Sequence, residues 1–250
     1  MHRAPDPHAE QVSQLLLGEV FHLLEINDDW AWGYCDHDRY VGYVAADSLA
    51  RIDAPADAPC ESGPAEPTHW VCAPQGLVFS EASIKTALRL TVPMGARLRL
   101  SVHDEKFFAL TDGSGFIHRR HVQPLGEWRE DPASVAESLL GTPYLWGGRS
   151  RAGIDCSGLV QVSLMACGIA CPRDSDQQQA LGQPVPDSEW GSLQRGDIVF
   201  FPGHVGIMAD ATRLIHANAY WMNTVVEPLA DVIGRLLPDT DKPVRCVRRL

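Results

Sequence analysis

The chain has 250 residues, of which 45% are hydrophobic and 21% charged, so it can bury a core in more than one domain and is neither a disordered chain nor a coiled coil. A formal net charge of −11 argues against nucleic acid as a partner, because phosphate binding needs clustered Lys and Arg, and against adhesion to an anionic polymer. No apolar run reaches transmembrane length, so no membrane partner is expected.

The first ten residues, Met1-His2-Arg3-Ala4-Pro5-Asp6-Pro7-His8-Ala9-Glu10, carry acid and proline where a secretory leader needs an apolar stretch, and Leu15-Leu16-Leu17 is too short to serve as one. The seven cysteines (35, 60, 72, 156, 167, 171 and 246) are odd in number and form no CxxC pair. Reduced thiols in the cytoplasm are therefore expected, and a disulfide scaffold is not. Cys167 and Cys171 lack a His or Asp pair at ligand spacing and read as structural, so no metal and no cofactor are implied.

Residues 14–25, then Trp30 to Cys35, then Tyr40 to Val44 form short β-rich runs separated by Asn27-Asp28-Asp29 and Asp36-His37-Asp38 turns, the pattern of a small barrel over residues 1–55. An Ala/Pro/Asp-rich stretch around residues 56–67 reads as a linker. The theme then recurs over 68–126: Leu88 to Leu100, Phe107 to Leu110 and Gly113-Ser114-Gly115-Phe116-Ile117-His118 repeat a Gly-containing strand pair, an aromatic strand and a Gly-aromatic-aliphatic ending. Two divergent copies are the simplest account.

Residues 127–250 change texture. Asp131-Pro132 before Ala133 to Leu140 places an N-cap and a first-turn proline, and Gly141 supplies the stop. A second helix is expected from Cys156 to Gly168, with Leu159, Val160, Ser163, Met165 and Ala166 toward the core. Strands follow at Ile198 to Phe201, Val205 to Met208, Leu214 to Ala217 and Val225 to Glu227 in a meander, with a fifth at Val244 to Val247. Cys156, in Gly153-Ile154-Asp155-Cys156-Ser157-Gly158, would stand at a helix start, where free N–H groups and the helix dipole favour the thiolate. Taken alone it reads equally well as a small buried residue. His204 at a strand start and His216 on the next strand shift the balance, because thiol, imidazole and a third orienting group are what a cysteine peptidase needs.

An ordered series of blocks runs through residues 131–230: Gly141-Thr142-Pro143-Tyr144-Leu145-Trp146-Gly147-Gly148, Asp155-Cys156-Ser157-Gly158, Pro172-Arg173-Asp174, Leu193 to Phe201, His204-Val205-Gly206-Ile207 and Ile215-His216-Ala217. In content and order these blocks resemble the NlpC/P60 cysteine peptidases of bacterial cell-wall metabolism. The resemblance implies an α+β papain-like domain in which Cys156 is nucleophile, His204 general base and acid, and His216 its orienting group. Residues 1–126 resemble bacterial SH3 domains, which gives two small all-β SH3-like barrels followed by the NlpC/P60 domain.

The same resemblance implies a murein stem peptide as substrate, cut at the γ-D-glutamyl-diamino acid bond when its N-terminal L-Ala is free, in cell-wall peptide recycling. Tyr40, just before the Gly-aromatic pair of the first module, matches a tyrosine that reaches the cleft in related enzymes; the other reading is a half-buried strand aromatic. Asp155 and Tyr40 would hold the substrate ammonium and Arg173 a carboxylate, with Ser157 and Asp174 around the cleft, while Tyr144 and Trp146 shape its wall. Arg173-Asp174 also reads as a local ion pair. The rivals are an amidase or acyltransferase of the same class, and a non-catalytic peptide-binding scaffold.

Overall fold

The computed structural model describes residues 1–51 and 66–250. Most of the stretch read as a linker therefore lies outside the described residues. The chain divides into two compact units, Met1–Glu127 and Trp128–Leu250.

In the first unit, β1 (Phe21–Asn27), β2 (Trp30–Cys35) and β3 (Val41–Ala45) form an antiparallel sheet in that order. Alternation in β2 turns Ala31, Gly33 and Cys35 inward and leaves Trp30, Trp32 and Tyr34 half-buried, so the apolar set faces Met1, Val12 and Val44. The rest of the unit comprises β4 (His69–Val71), β5 (Gln75–Phe79), β6 (Leu88–Pro93), β7 (Arg97–Leu98), β8 (Leu100–Val102), β9 (Phe107–Leu110), β10 (Phe116–His118) and β11 (Val122–Pro124). They form a five-stranded sheet, β6-β5-β10-β9-β8, and a three-stranded sheet, β11-β4-β7. The chain passes from one sheet to the other at Arg99, between β7 and β8, and both contribute to one core of Val71, Val78, Leu98, Leu100 and Ile117 among others.

The expectation of two barrels needs correction here. Among the described residues no ladder closes: the first module is an open three-stranded sheet whose outer strand β3 meets only an isolated bridge from His2 to Tyr43, and the later strands split between two sheets.

In the second unit Asp131 caps α1 (Pro132–Ser138), accepting from the Ala133 N–H at 2.9 Å with Pro132 in the first turn. A short hairpin of β12 (Arg149–Ser150) and β13 (Gly153–Ile154) leads into α2 (Cys156–Met165), followed by α3 (Ser175–Gln178), β14 (Gln183–Pro184), β15 (Ile198–Phe201), β16 (His204–Met208), β17 (Arg213–Asn218), β18 (Asn223–Pro228), α4 (Leu229–Leu236) and β19 (Cys246–Arg249). The sheet runs β14-β19-β15-β16-β17-β18, so the expected meander is present, the last strand lies two residues later than expected, and a two-residue edge strand is added. Residues 156 to 164 are all buried, so α2 is a central element rather than one with a single core-facing stripe.

Gly158 shows how tightly the start of α2 is held. A Cβ there would lie 2.2 Å from the carbonyl oxygen of Gly148, a backbone atom that cannot swing away. Gly158→Ala should therefore destabilise the protein by about 1–3 kcal/mol through overpacking, against the usual helix preference for Ala. Gly234→Ala in α4, where a Cβ meets nothing within 4 Å, should stabilise by about 0.5–1 kcal/mol. Urea denaturation of the two variants should move the midpoint in opposite directions; a shared direction would mean that the packing at Gly158 yields.

Candidate active site

Asp155 organises the loop before α2. It is the N-cap, 5% exposed, and its Oδ1 accepts from the Gly158 N–H at 2.7 Å, Arg173 at 3.0 Å and the Ser157 hydroxyl at 3.3 Å. Its Oδ2 accepts from the Gly147 N–H at 2.8 Å and Arg173 at 2.6 Å. Five donors fill the carboxylate.

Arg173, 1% exposed, closes its fork on Asp155 and donates to Ser157 Oγ at 2.8 Å, leaving only Nε without an acceptor. The two groups that the sequence assigned to substrate charges are thus bonded to each other, and the charge of Asp155 is paired within the protein. A buried carboxylate needs a buried cation, and Arg173 is that cation. The local Arg173-Asp174 ion pair is likewise replaced by the longer-range pair, and Asp174 instead precedes α3 with its carbonyl accepting from the Gln178 N–H at 3.0 Å.

Cys156 is the first residue of α2 and 7% exposed, and α2 packs against β16, the strand that begins at His204. The expectation of a lowered thiol pKa is not met. Burial first and the Asp155 charge second push the thiol up to about 11, outweighing the N–H groups and Arg173. Burial, with His216 beside it, holds His204 down to about 3. Both shifts favour the uncharged forms, a thiol at Cys156 and a neutral imidazole at His204.

His204 Nε2 lies 2.7 Å from His216 Nδ1, and His216 Nε2 lies 2.7 Å from Glu227 Oε1. His216 is 1% exposed, and its pKa is lowered by burial, only partly offset by Glu227. Tyr144 is half-buried, its phenol raised to about 12 by burial and by the nearby Cys156 and Asp155, so it stays a donor. Trp146 is 57% exposed in the loop whose Gly147 N–H binds Asp155. The structure thus brings Cys156, Asp155, Ser157, Arg173, Tyr144, His204 and His216 into one unit. Tyr40 belongs to the other unit, where its backbone N–H binds Asp38 at 3.0 Å and its side chain packs against the Val12, Ala31 and Val44 cluster.

Glu227 was read only as the end of a strand. On β18 it pairs with Leu214 of β17, which places it on the same sheet face as His216 two residues along. An acid at a strand position beside a histidine strand was the available signal. Arg235 of α4 holds both Glu227 oxygens, one at 2.8 Å, and the Trp221 indole approaches at 3.4 Å.

A different donor set occurs in the first unit, where ligand atoms of Cys35, His37 and Asp38 lie within 4.8 Å of one another. His37 already stands between Glu19 at 3.7 Å and Asp38 at 3.2 Å, an arrangement that needs no metal. Among the described residues no helix is long and apolar enough to cross a membrane.

Comparison with known proteins matches residues 141–230 to the NlpC/P60 family and residues 1–49 to the bacterial dipeptidyl-peptidase Sh3 domain. The chain is 42% identical over 242 residues to a γ-D-glutamyl-L-lysine dipeptidyl-peptidase of Bacillus cereus, covering 87% of this chain and 70% of the relative. It is 28% identical over 234 residues to dipeptidyl-peptidase 6 of Lysinibacillus sphaericus, covering 87% and 84%. Its fold is similar to the crystal structure of an NlpC/P60 family protein from Bacillus cereus, with a TM-score of 0.76 at 23% identity over 95% of this chain and 81% of that one.

Removing one member of the buried Asp155–Arg173 pair leaves the other charge uncompensated. Arg173→Met should cost about 3–5 kcal/mol of stability by urea denaturation, and adding Asp155→Asn, which keeps an N-cap side chain, should restore part of that loss. Strictly additive losses would show that the two side chains are stabilised by other neighbours.

Proposed function

The chain belongs to the NlpC/P60 family of cysteine peptidases, and from that premise we propose that it hydrolyses the γ-D-glutamyl-diamino acid bond of murein peptides with a free N-terminal L-alanine, in the recycling of cell-wall peptides in the cytoplasm. Cys156 is the nucleophile in this reading, His204 the general base and acid, and His216 the group that orients His204. The carrying observation is the 2.7 Å bond between His204 Nε2 and His216 Nδ1, on strands β16 and β17, the first of which packs against the helix that Cys156 begins. The dipeptide-releasing names of the two relatives supply the free amino terminus and the γ-D-glutamyl linkage. Residues 68–126 are read as a second SH3-like module, on the repeat in the sequence.

Because thiol and imidazole are both neutral at rest, attack and proton transfer are coupled. The Cys156 proton passes to His204 as sulfur bonds to the γ-carbonyl carbon; the imidazolium then protonates the departing amine, and water activated by His204 cleaves the thioester. Tyr144 and the backbone N–H of Cys156 are the donors for the developing oxyanion. Ser157 and Trp146 contribute to the cleft, and Asp155 with Arg173 acts by fixing its floor.

Incubation with L-Ala-γ-D-Glu-diaminopimelate should release L-Ala-D-Glu, identified by mass spectrometry. Cys156→Ala should abolish release, His204→Ala should leave at most a residue, and His216→Ala should lose less. N-acetylation of the alanine should nearly abolish cleavage. Equal rates for free and acetylated peptides would make intact peptidoglycan the better substrate, and absence of the dipeptide would favour an amidase or acyltransferase acting on another amide.

A further inference from the structure

We infer that Glu227, clamped by Arg235, is a positioning residue that fixes the tautomers of both histidines, so that His204 presents Nδ1 as the lone pair that receives the thiol proton. The inference deepens the proposed reaction and rests on its assignment of His204 as base.

The argument runs outward from the carboxylate. Burial pushes Glu227 up, but hydrogen bonds from Arg235, then His216 and Trp221, outweigh it and hold the acid below its usual range. Glu227 is therefore ionised and can only accept. His216 Nε2, 2.7 Å from Oε1, must carry a proton. A neutral His216 then has a bare Nδ1, which must accept from His204 Nε2 at 2.7 Å. With its proton on Nε2, His204 has its only lone pair on Nδ1. The orientation of the base is thus set from two residues away.

One contact competes. Asn218 Nδ2 lies 3.0 Å from the same His216 Nε2, and the amide is oriented by the Trp221 N–H, which binds Asn218 Oδ1 at 2.8 Å. If the amide donated to Nε2, the His216 proton would move to Nδ1 and His204 would present the opposite tautomer. A charge-assisted bond to a carboxylate is worth about twice a neutral amide bond, so Glu227 prevails. The exposed aromatics Tyr220 and Trp221 gain a role in this arrangement: the Arg235 guanidinium carbon sits 4.7 Å from the Tyr220 ring centroid while the Trp221 indole approaches Glu227.

Two measurements test this. Two-bond 15N–1H correlation spectra of the unmodified protein, with ring signals assigned through His204→Gln and His216→Gln, should show protons on Nε2 of both histidines; a proton on Nδ1 of His216 would overturn the inference. Glu227→Gln should lower kcat on L-Ala-γ-D-Glu-diaminopimelate on the order of tenfold to a hundredfold with KM within about twofold. In a His204→Ala background it should not slow iodoacetamide labelling of Cys156 any further. Wild-type kcat in Glu227→Gln, or an equal slowing of labelling in both backgrounds, would reduce Glu227 to a structural residue. If Glu227→Gln fails to fold, the spectrum of the unmodified protein still decides. A protein that leaves the peptide uncut overturns the proposed reaction and not the tautomers, which are read without substrate.

Discussion

The Asp155–Arg173 pair is the contact on which the catalytic unit depends. One carboxylate caps α2, holds the Gly147 N–H of the preceding loop and draws in Arg173 from beyond the helix. Gln178 then fastens the same segment by donating to the carbonyls of Ser157 at 3.0 Å and Pro172 at 2.8 Å. A buried ion pair of this kind adds little net stability over apolar packing, yet it is costly to break. What it secures is position: the helix start, the loop before it and the segment after it converge on one charge, and Cys156 is the next residue along.

That position has an electrostatic cost. A helix terminus alone would favour the thiolate, but its effect amounts to fractions of a charge shared with water, whereas burial removes the water and Asp155 adds a full negative charge beside the sulfur. The larger effects win. Glycine packing makes the burial possible, since Gly158 lets the first turn of α2 press on the Gly148 carbonyl.

Features written in contiguous residues were legible in the sequence: the Asp131-Pro132 helix start, the four meander strands, and the thiol and two histidines on neighbouring elements. Features set by through-space pairing were not. Arg173 reads as a holder of a substrate carboxylate or as half of a local pair with Asp174, and its partner is visible only once Asp155 is found buried against it, while Glu227 reads as a strand end until the register puts it diagonal to His216. Closed barrels were expected and not found for a related reason, since alternation fixes which face of a strand is apolar and not which edge it joins. The sulfur's ionisation belongs to the same class, because a helix start is visible in sequence and the depth at which it lies is not.

The two arginine-clamped carboxylates act on the reacting groups with one sign and opposite consequence. Near the thiol the effect of Asp155 exceeds that of Arg173, and near His204 the effect of Glu227 exceeds that of Arg235. At the thiol the acid leads, whereas at His204 burial and the neighbouring His216 come before Glu227 and hold the imidazolium down. The surroundings therefore oppose an ion pair at rest, which is the wrong arrangement for a stored thiolate, while the two carboxylates by themselves suit the tetrahedral intermediate of the proposed reaction. There the sulfur is bonded and carries no charge, His204 is an imidazolium, and the negative charge has moved to the substrate oxygen. An enzyme gains rate only from interactions stronger in the transition state than in the ground state. A site that keeps its thiol protonated until substrate arrives, with Glu227 as the charge that favours the imidazolium once it forms, meets that requirement with the resting pair's neutrality as part of the mechanism.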